Sequence, residues 1–275
     1  MVGNRRPANT LAPVNILFFA DVCGRPGRRG LAVALPELRD RYSADLVIAN
    51  GENAAGGVGI TVRTADELFS AGVDVITTGN HVYRHREVYG YLDRSERIIR
   101  PANYPAGNPG RGHVIVQAAG RRLAVLNLSG AVMMKVARSP FVEADALLAR
   151  LADQFDAVVV DFHAEVTSEK VAMGWHLDGR VAAVIGTHTH VPTSDARVLP
   201  EGTAHISDAG MTGSRNGILG ARRDQVLEAL ITQMPVRFDG AEGDVWVNAV
   251  AVEVGPDGLA RSIEQILEPV DGLGQ

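Results

Sequence analysis

Residues 181–190 read Val181-Ala182-Ala183-Val184-Ile185-Gly186-Thr187-His188-Thr189-His190, an apolar run closed by a glycine, a threonine and two spaced histidines. The run has the length and composition of a buried strand, and side chains two apart on an extended segment share a face. If pairing persists past Ile185, His188 and His190 point their imidazoles toward one small volume. Imidazole is a common ligand for zinc, iron, manganese and nickel, so metal binding is the natural question. Two exposed loop histidines are the alternative.

Other apolar runs end in the same way. Asn15 to Ala20 delivers Asp21, Leu46 to Ala49 delivers Asn50-Gly51-Glu52-Asn53, Val73 to Thr77 is followed by Gly79-Asn80-His81, and Ala157 to Val160 delivers Asp161-Phe162-His163. The carboxyl ends of parallel strands in an α/β sheet line one edge, and ligands bind in the crevice there. Five strand ends that each offer Asp, Glu, Asn or His are hard to attribute to loop composition, which would mix in Lys, Ser and Thr.

The chain has 275 residues, 46% of them hydrophobic, and its mean hydropathy is near zero, which fits one large buried core. We expect a single domain over residues 14–270, preceded by a flexible leader at 1–13. The apolar stretch Val14 to Ala20 is too short to span a bilayer, and Arg5-Arg6 is not followed by a small-residue cleavage pattern. No membrane association is therefore expected, and a cytoplasmic location is. The single Cys23 excludes an intrachain disulfide and a thiolate-rich metal site, leaving oxygen and nitrogen ligands. A net charge of −5 and a pI near 5.9 argue against a stable nucleic-acid complex, which needs many phosphate contacts from Lys and Arg. Small anionic substrates remain compatible. Arg25-Pro26-Gly27-Arg28-Arg29 either attracts phosphate at a helix start or forms an exposed cationic turn.

Periodicity predicts strands at 15–20, 46–50 and 73–77, alternating with helices near 28–42, 64–71 and 84–93; Pro36 interrupts the first helical pattern. A turn-rich connector from Pro101 to Gly112 precedes a hairpin of Val114 to Gln117 and Leu123 to Leu128. Helices near 141–153 and 168–177, strands at 157–162 and 181–185, and a β-rich tail from Ala204 suggest a second sheet packed on the first.

The segments Phe19-Ala20-Asp21-Val22, Asn50-Gly51-Glu52-Asn53-Ala54-Ala55, Gly79-Asn80-His81, Arg100-Pro101-Ala102-Asn103, Val160-Asp161-Phe162-His163-Ala164-Glu165, Ala172-Met173-Gly174-Trp175, Gly186 to His190 and Asp208-Ala209-Gly210-Met211-Thr212-Gly213 together resemble the calcineurin-like metallophosphoesterases, specifically their bacterial YmdB-like branch. The match spans nearly the whole chain. The resemblance implies an α/β fold built as a four-layer α/β/β/α sandwich, two divalent or trivalent metal ions, and hydrolysis of small phosphodiesters, with cyclic nucleotides such as 2′,3′-cyclic AMP favoured. Carried over, Asp21 and His190 hold the first ion, Asn80, His163 and His188 the second, and Glu52 bridges both. Two cations roughly 3.5–4 Å apart acidify a water and neutralise charge in an in-line phosphoryl transition state. The mixed oxygen and nitrogen set suits iron, manganese or zinc. Carried over in the same way, His81 is a general acid for the leaving alkoxide; a histidine bonded to the connector after Pro101 is its structural alternative.

Two departures from the wider superfamily stand out. Cys23 occupies the place of the histidine in the usual Asp-x-His motif, so the first ion should have fewer protein ligands, and Glu52 replaces the usual bridging Asp. The YmdB-like branch shares both changes. Asn53 either orients hydroxide or substrate phosphate or bonds the turn. His176, beside Trp175, either contacts substrate or does not reach the site. Glu165, Asp161 and Asp208 are either partners that orient histidines or ordinary strand-end carboxylates. His85, His113 and His205 are expected to be structural or exposed, and Gly56-Gly57-Val58-Gly59 lacks the Lys-Ser or Lys-Thr of a phosphate-cradling loop. A metal-dependent amide or ester hydrolase and a nucleotide-binding regulator with little turnover are the rival functions. A homo-oligomer is left open.

Overall fold

In the computed structural model, which describes residues 12–273, Val14–Phe19 forms strand β1, whose side chains sort by parity. Val14, Ile16, Phe18 and Ala20 enter one buried cluster, and Leu17 and Phe19 enter another on the opposite face. Period-two alternation on a strand covered on both sides produces this division. The chain continues through α1 (Gly24–Arg41), β2 (Leu46–Asn50), α2 (Val62–Ser70), β3 (Val75–Thr77), a 3-10 turn (Arg86–Val88) and α3 (Tyr89–Arg94). Next come β4 (His113–Ala118), β5 (Arg121–Ser129), α4 (Pro140–Arg150), β6 (Ala157–His163), α5 (Thr167–Leu177) and β7 (Ala183–Thr187). The remaining elements are β8 (Arg197–Val198), β9 (Ala204–Ile206), β10 (Gly213–Ser214), α6 (Arg223–Thr232), β11 (Val245–Val254) and β12 (Ala260–Pro269). Of the expected leader, residues 1–11 lie outside the described residues.

Strands β1, β2 and β3 pair in parallel, and β11 runs antiparallel to β1 while pairing with β10 and β12. In the second sheet β5, β6, β7 and β9 are parallel, with β4 and β8 antiparallel at the edges. Inward residues of both sheets, among them Ile48, Val125, Val159, Ile185 and Val252, form one shared cluster. Helices α1 to α3 cover the outer face of the first sheet through Leu31, Leu35, Leu68 and Leu92, and α4 and α5 cover the second through Leu147, Met173 and Leu177. The layers are thus α/β/β/α. Each fully buried aliphatic side chain contributes about 1.5–3 kcal/mol relative to exposure. No helix among the described residues is long and apolar enough to cross a membrane.

The inner faces change character at the carboxyl ends. Asn50 follows Leu46 and Ile48 in parity, Thr77 follows Val75, Asn127 and Ser129 follow Leu123 and Val125, Asp161 and His163 follow Ala157 and Val159, and Thr187 follows Ala183 and Ile185. All these polar side chains are buried, so each has to find a partner inside the molecule.

Three expectations are corrected. Pro36 lies inside α1, which starts at Gly24 and runs unbroken to Arg41; Pro36 and Ala32 both face solvent, where water can satisfy the carbonyl that proline leaves unbonded. The helix expected near 84–93 is a 3-10 turn followed by the short α3. The tail does not simply complete the second sheet, because β10, β11 and β12 return to the first and α6 intervenes.

Candidate metal centre

Strand β7 ends at Thr187, paired with His163 of β6, so extended pairing does not reach the two histidines. Their backbone is left-handed instead, with φ of 102° at His188 and 65° at His190. The expected sharing of one strand face is therefore corrected: the turn delivers the two rings to neighbouring positions. His188 Nδ1 lies 3.0 Å from His163 Nε2, whereas His190 Nε2 lies 3.1 Å from Asn53 Nδ2 and 3.9 Å from Asp21 Oδ1.

Around His163 Nε2 three further donors converge. Asn80 Oδ1 is 3.0 Å away, Glu52 Oε1 3.1 Å and His188 Nδ1 3.0 Å. Ligand atoms of Glu52, His163 and His188 all lie within 4.8 Å of one another. The hydrogen bonds behind the rings fix which nitrogen faces inward. Thr187 Oγ1 donates to Asp161 Oδ1 at 2.7 Å, so the 2.9 Å contact between His163 Nδ1 and Thr187 Oγ1 is a donation by the ring, and in the neutral ring Nε2 carries the lone pair. His188 Nε2 lies 2.9 Å from Glu165 Oε2 and donates there, turning its Nδ1 lone pair inward. An amide oxygen, a carboxylate oxygen and two imidazole lone pairs thus face one another with no proton to share in these tautomers, which suits a cation. The close approach depends on Gly79, where a β-carbon would overlap Glu52 Oε2 and the His163 ring.

A second group adjoins the first across Glu52. Asp21 is fully buried, and its Oδ1 has no hydrogen-bond partner among the described residues, while Oδ2 accepts the His188 N–H at 2.9 Å. His190 Nδ1 donates to the Leu219 carbonyl at 3.1 Å, which leaves Nε2 facing Asp21 and Asn53. An orphaned buried carboxylate oxygen opposite an imidazole lone pair fits a second cation.

The electrostatics agree. Burial, reinforced by Asp208 and Glu52, pushes the Asp21 carboxyl well above the usual range despite the opposing His163. Burial pulls His163 down, but Glu52, Asp21 and Asp161 outweigh it and raise the imidazole to about 9. The proton held there supplies the positive charge the carboxylates demand, the role a bound cation would take over. Burial and His163 lower His188 to about 3, keeping it neutral and able to coordinate. Burial, with Asp21 and Glu52, raises the Cys23 thiol to about 12, so Cys23 is a protonated buried thiol at neutral pH.

The structure brings together Asp21, Glu52, Asn53, Asn80, His81, His163, His188 and His190. Asn53 Nδ2 donates to Glu52 Oε1 at 3.1 Å. His81 Nδ1 lies 2.9 Å from Asn53 Oδ1 and 3.3 Å from Glu52 Oε1, so it bonds the site rather than the connector after Pro101. His176 is not brought in. It lies on α5 with Nε2 3.1 Å from Asp145 of α4 and its ring edge-on to Phe141, in the outer helical layer. Glu165 and Asp161 orient His188 and His163 as described, and Asp208 bonds Thr189. Sequence reasoning gave no role to Thr187, whose hydroxyl links His163 to Asp161, or to Lys170; a threonine beside the histidines was the only signal for the former.

The two-sheet sandwich occurs in a 5′-nucleotidase precursor from Thermus thermophilus, with a TM-score of 0.57 and 12% identity over 94% of this chain and 55% of that chain. The fold is that of the calcineurin-like metallophosphoesterases. Nearer structures and sequences narrow it. The crystal structure of a hypothetical protein, also from Thermus thermophilus, has a TM-score of 0.88 and 42% identity, covering 94% of this chain and all of that one. A 2′,3′-cyclic-nucleotide 2′-phosphodiesterase from Bacillus subtilis (strain 168) is 44% identical over 255 residues, 92% of this chain and 97% of the relative. A profile described as YmdB-like protein matches residues 17–266, and the chain belongs to the YmdB-like family.

Proposed function

We propose that this chain is a metal-dependent phosphodiesterase acting on small phosphodiesters, chiefly cyclic nucleotides such as 2′,3′-cyclic AMP, with residues 14–270 working as one domain. The observation that carries the reading is the convergence of ligand-type oxygen and nitrogen atoms of Glu52, Asn80 and His188, from separate strand ends, around His163 Nε2. The Bacillus subtilis relative, by its name, supports the substrate class. Asp21 and His190 would hold one ion, Asn80, His163 and His188 the other, and Glu52 would bridge them. Iron, manganese or zinc suit this set. When bound, two such cations acidify an attacking water and neutralise charge on the phosphoryl group.

The chain's own residues do the rest. Asn80 contributes a neutral oxygen where another carboxylate would repel an anionic substrate. Asn53 holds Glu52 and His81 in register. His81 commits Nδ1 to Asn53, so when the ring carries both protons the one on Nε2 is free to pass to the leaving alkoxide.

The test is release of p-nitrophenol from bis-p-nitrophenyl phosphate with added manganese or iron, beside a Glu52→Gln control. Turnover by the wild type and its loss in the variant are expected. No turnover with either metal favours a nucleotide-binding regulator, and cleavage of ester or amide substrates alone favours a carbonyl hydrolase.

A further inference from the structure

Lys170 of α5 is buried, and its ammonium donates to Asp208 Oδ2 at 2.6 Å. That same oxygen accepts the Thr189 N–H at 3.0 Å and the Thr189 hydroxyl at 2.6 Å, and Asp208 Oδ1 accepts the Gly210 N–H at 2.8 Å. Thr189 lies between two histidines whose left-handed backbone is uncommon for residues with a side chain. Such backbone persists only where the surroundings over-determine it. The Asp21 carboxylate grips the turn at the His188 N–H, and Asp208 grips it at Thr189.

We propose that the buried Lys170–Asp208 pair is a positioning element that locks the His188-Thr189-His190 turn, and so sets both candidate cation positions at once. Lys170 holds the Asp208 carboxylate in place; Asp208, through one oxygen, holds the residue from which one imidazole goes to each position. A ligand removed from one side affects mainly its own cation, whereas a slack turn displaces His188 and His190 together. The inference rests on the two-cation reading.

Manganese dissociation constants and stoichiometry are measured for the wild type, Thr189→Ala, Thr189→Ser, the neutral pair Lys170→Met with Asp208→Asn, and the one-sided control Asn80→Ala, whose side chain does not touch the turn, together with melting temperature in chelator. We expect Thr189→Ala and the neutral pair to weaken both manganese sites in parallel, by about 10–100-fold, the range for residues that orient ligands. Thr189→Ser retains wild-type binding, Thr189→Ala melts within a few degrees of wild type in chelator, and Asn80→Ala weakens one site selectively. Wild-type affinity in Thr189→Ala, or loss confined to one site, overturns the inference while leaving the two-cation reading intact. A wild type that holds no manganese overturns both. If the neutral pair does not fold, Thr189→Ala and Thr189→Ser decide the question.

Discussion

His81 reaches the site through Nδ1, bonded to Asn53 and close to Glu52, while its ring remains partly accessible. A group so placed contributes to proton transfer without carrying the cations. His81→Ala is therefore expected to lower kcat by about 10²–10⁴-fold while elemental analysis still finds the wild-type metal content; metal loss in that variant overturns the assignment. Thr187 gives a different expectation. Its hydroxyl separates the buried Asp161 carboxylate from His163, and Thr77 and Asn50 also donate to Asp161. Thr187→Val leaves His163 Nδ1 without its acceptor, so manganese affinity should fall about 10–100-fold, and unchanged affinity in a titration overturns that role. At this scale the chemistry-bearing residues were legible because strand ends concentrate ligand types. Asp161, Glu165 and Asp208 were readable as candidate partners behind them, but Thr187 and Lys170 were not, because a threonine or lysine has the same sequence appearance whether it touches solvent or a buried carboxylate.

Among the elements, β7 shows how closely backbone packing sets the site. A β-carbon at Gly186 would overlap the Ser207 carbonyl of the segment after β9, and Ala209 N–H bonds the Gly186 carbonyl at 2.9 Å. Gly186→Ala must therefore separate β7 from the Asp208 loop, at a cost of about 1–3 kcal/mol or more. Chemical denaturation checks this, and a loss below a few tenths of a kcal/mol would mean the two segments part freely. The strand at 181–185 was readable from its apolar run, as were β1, β2 and β6. The left-handed turn after it was not, since alternation extrapolates a strand past its true end and nothing local to Thr187 signals that pairing stops. Pro36 misled in the opposite direction, because a helix with one solvent-facing proline keeps its buried side through Leu35 and Leu38.

The whole molecule is held by the apolar cluster between the sheets, with the polar layer of Asn50, Thr77, Asp161 and Thr187 at its carboxyl end tying one sheet to the other. The α/β/β/α order was implied by the motifs rather than by periodicity, and the return of β11 to β1 is a long-range pairing that no local pattern encodes. Away from the site, His205 on β9 is buried, and burial holds its imidazole below the ordinary value, against the opposing pull of Asp195. The unfolded chain gains that proton near pH 6.5 and the folded protein does not, so stability is present above this pH and falls as pH drops below it. His205→Gln should flatten part of that acid-side slope in urea denaturation between pH 7 and 5; an identical slope would mean the histidine is readily charged in place. The most direct measurement is anomalous diffraction from crystals grown with manganese. Two peaks are expected, one bordered by Asp21, His190 and Glu52, the other by Glu52, Asn80, His163 and His188. An absence of peaks in that volume, or peaks only elsewhere, would contradict the proposed centre.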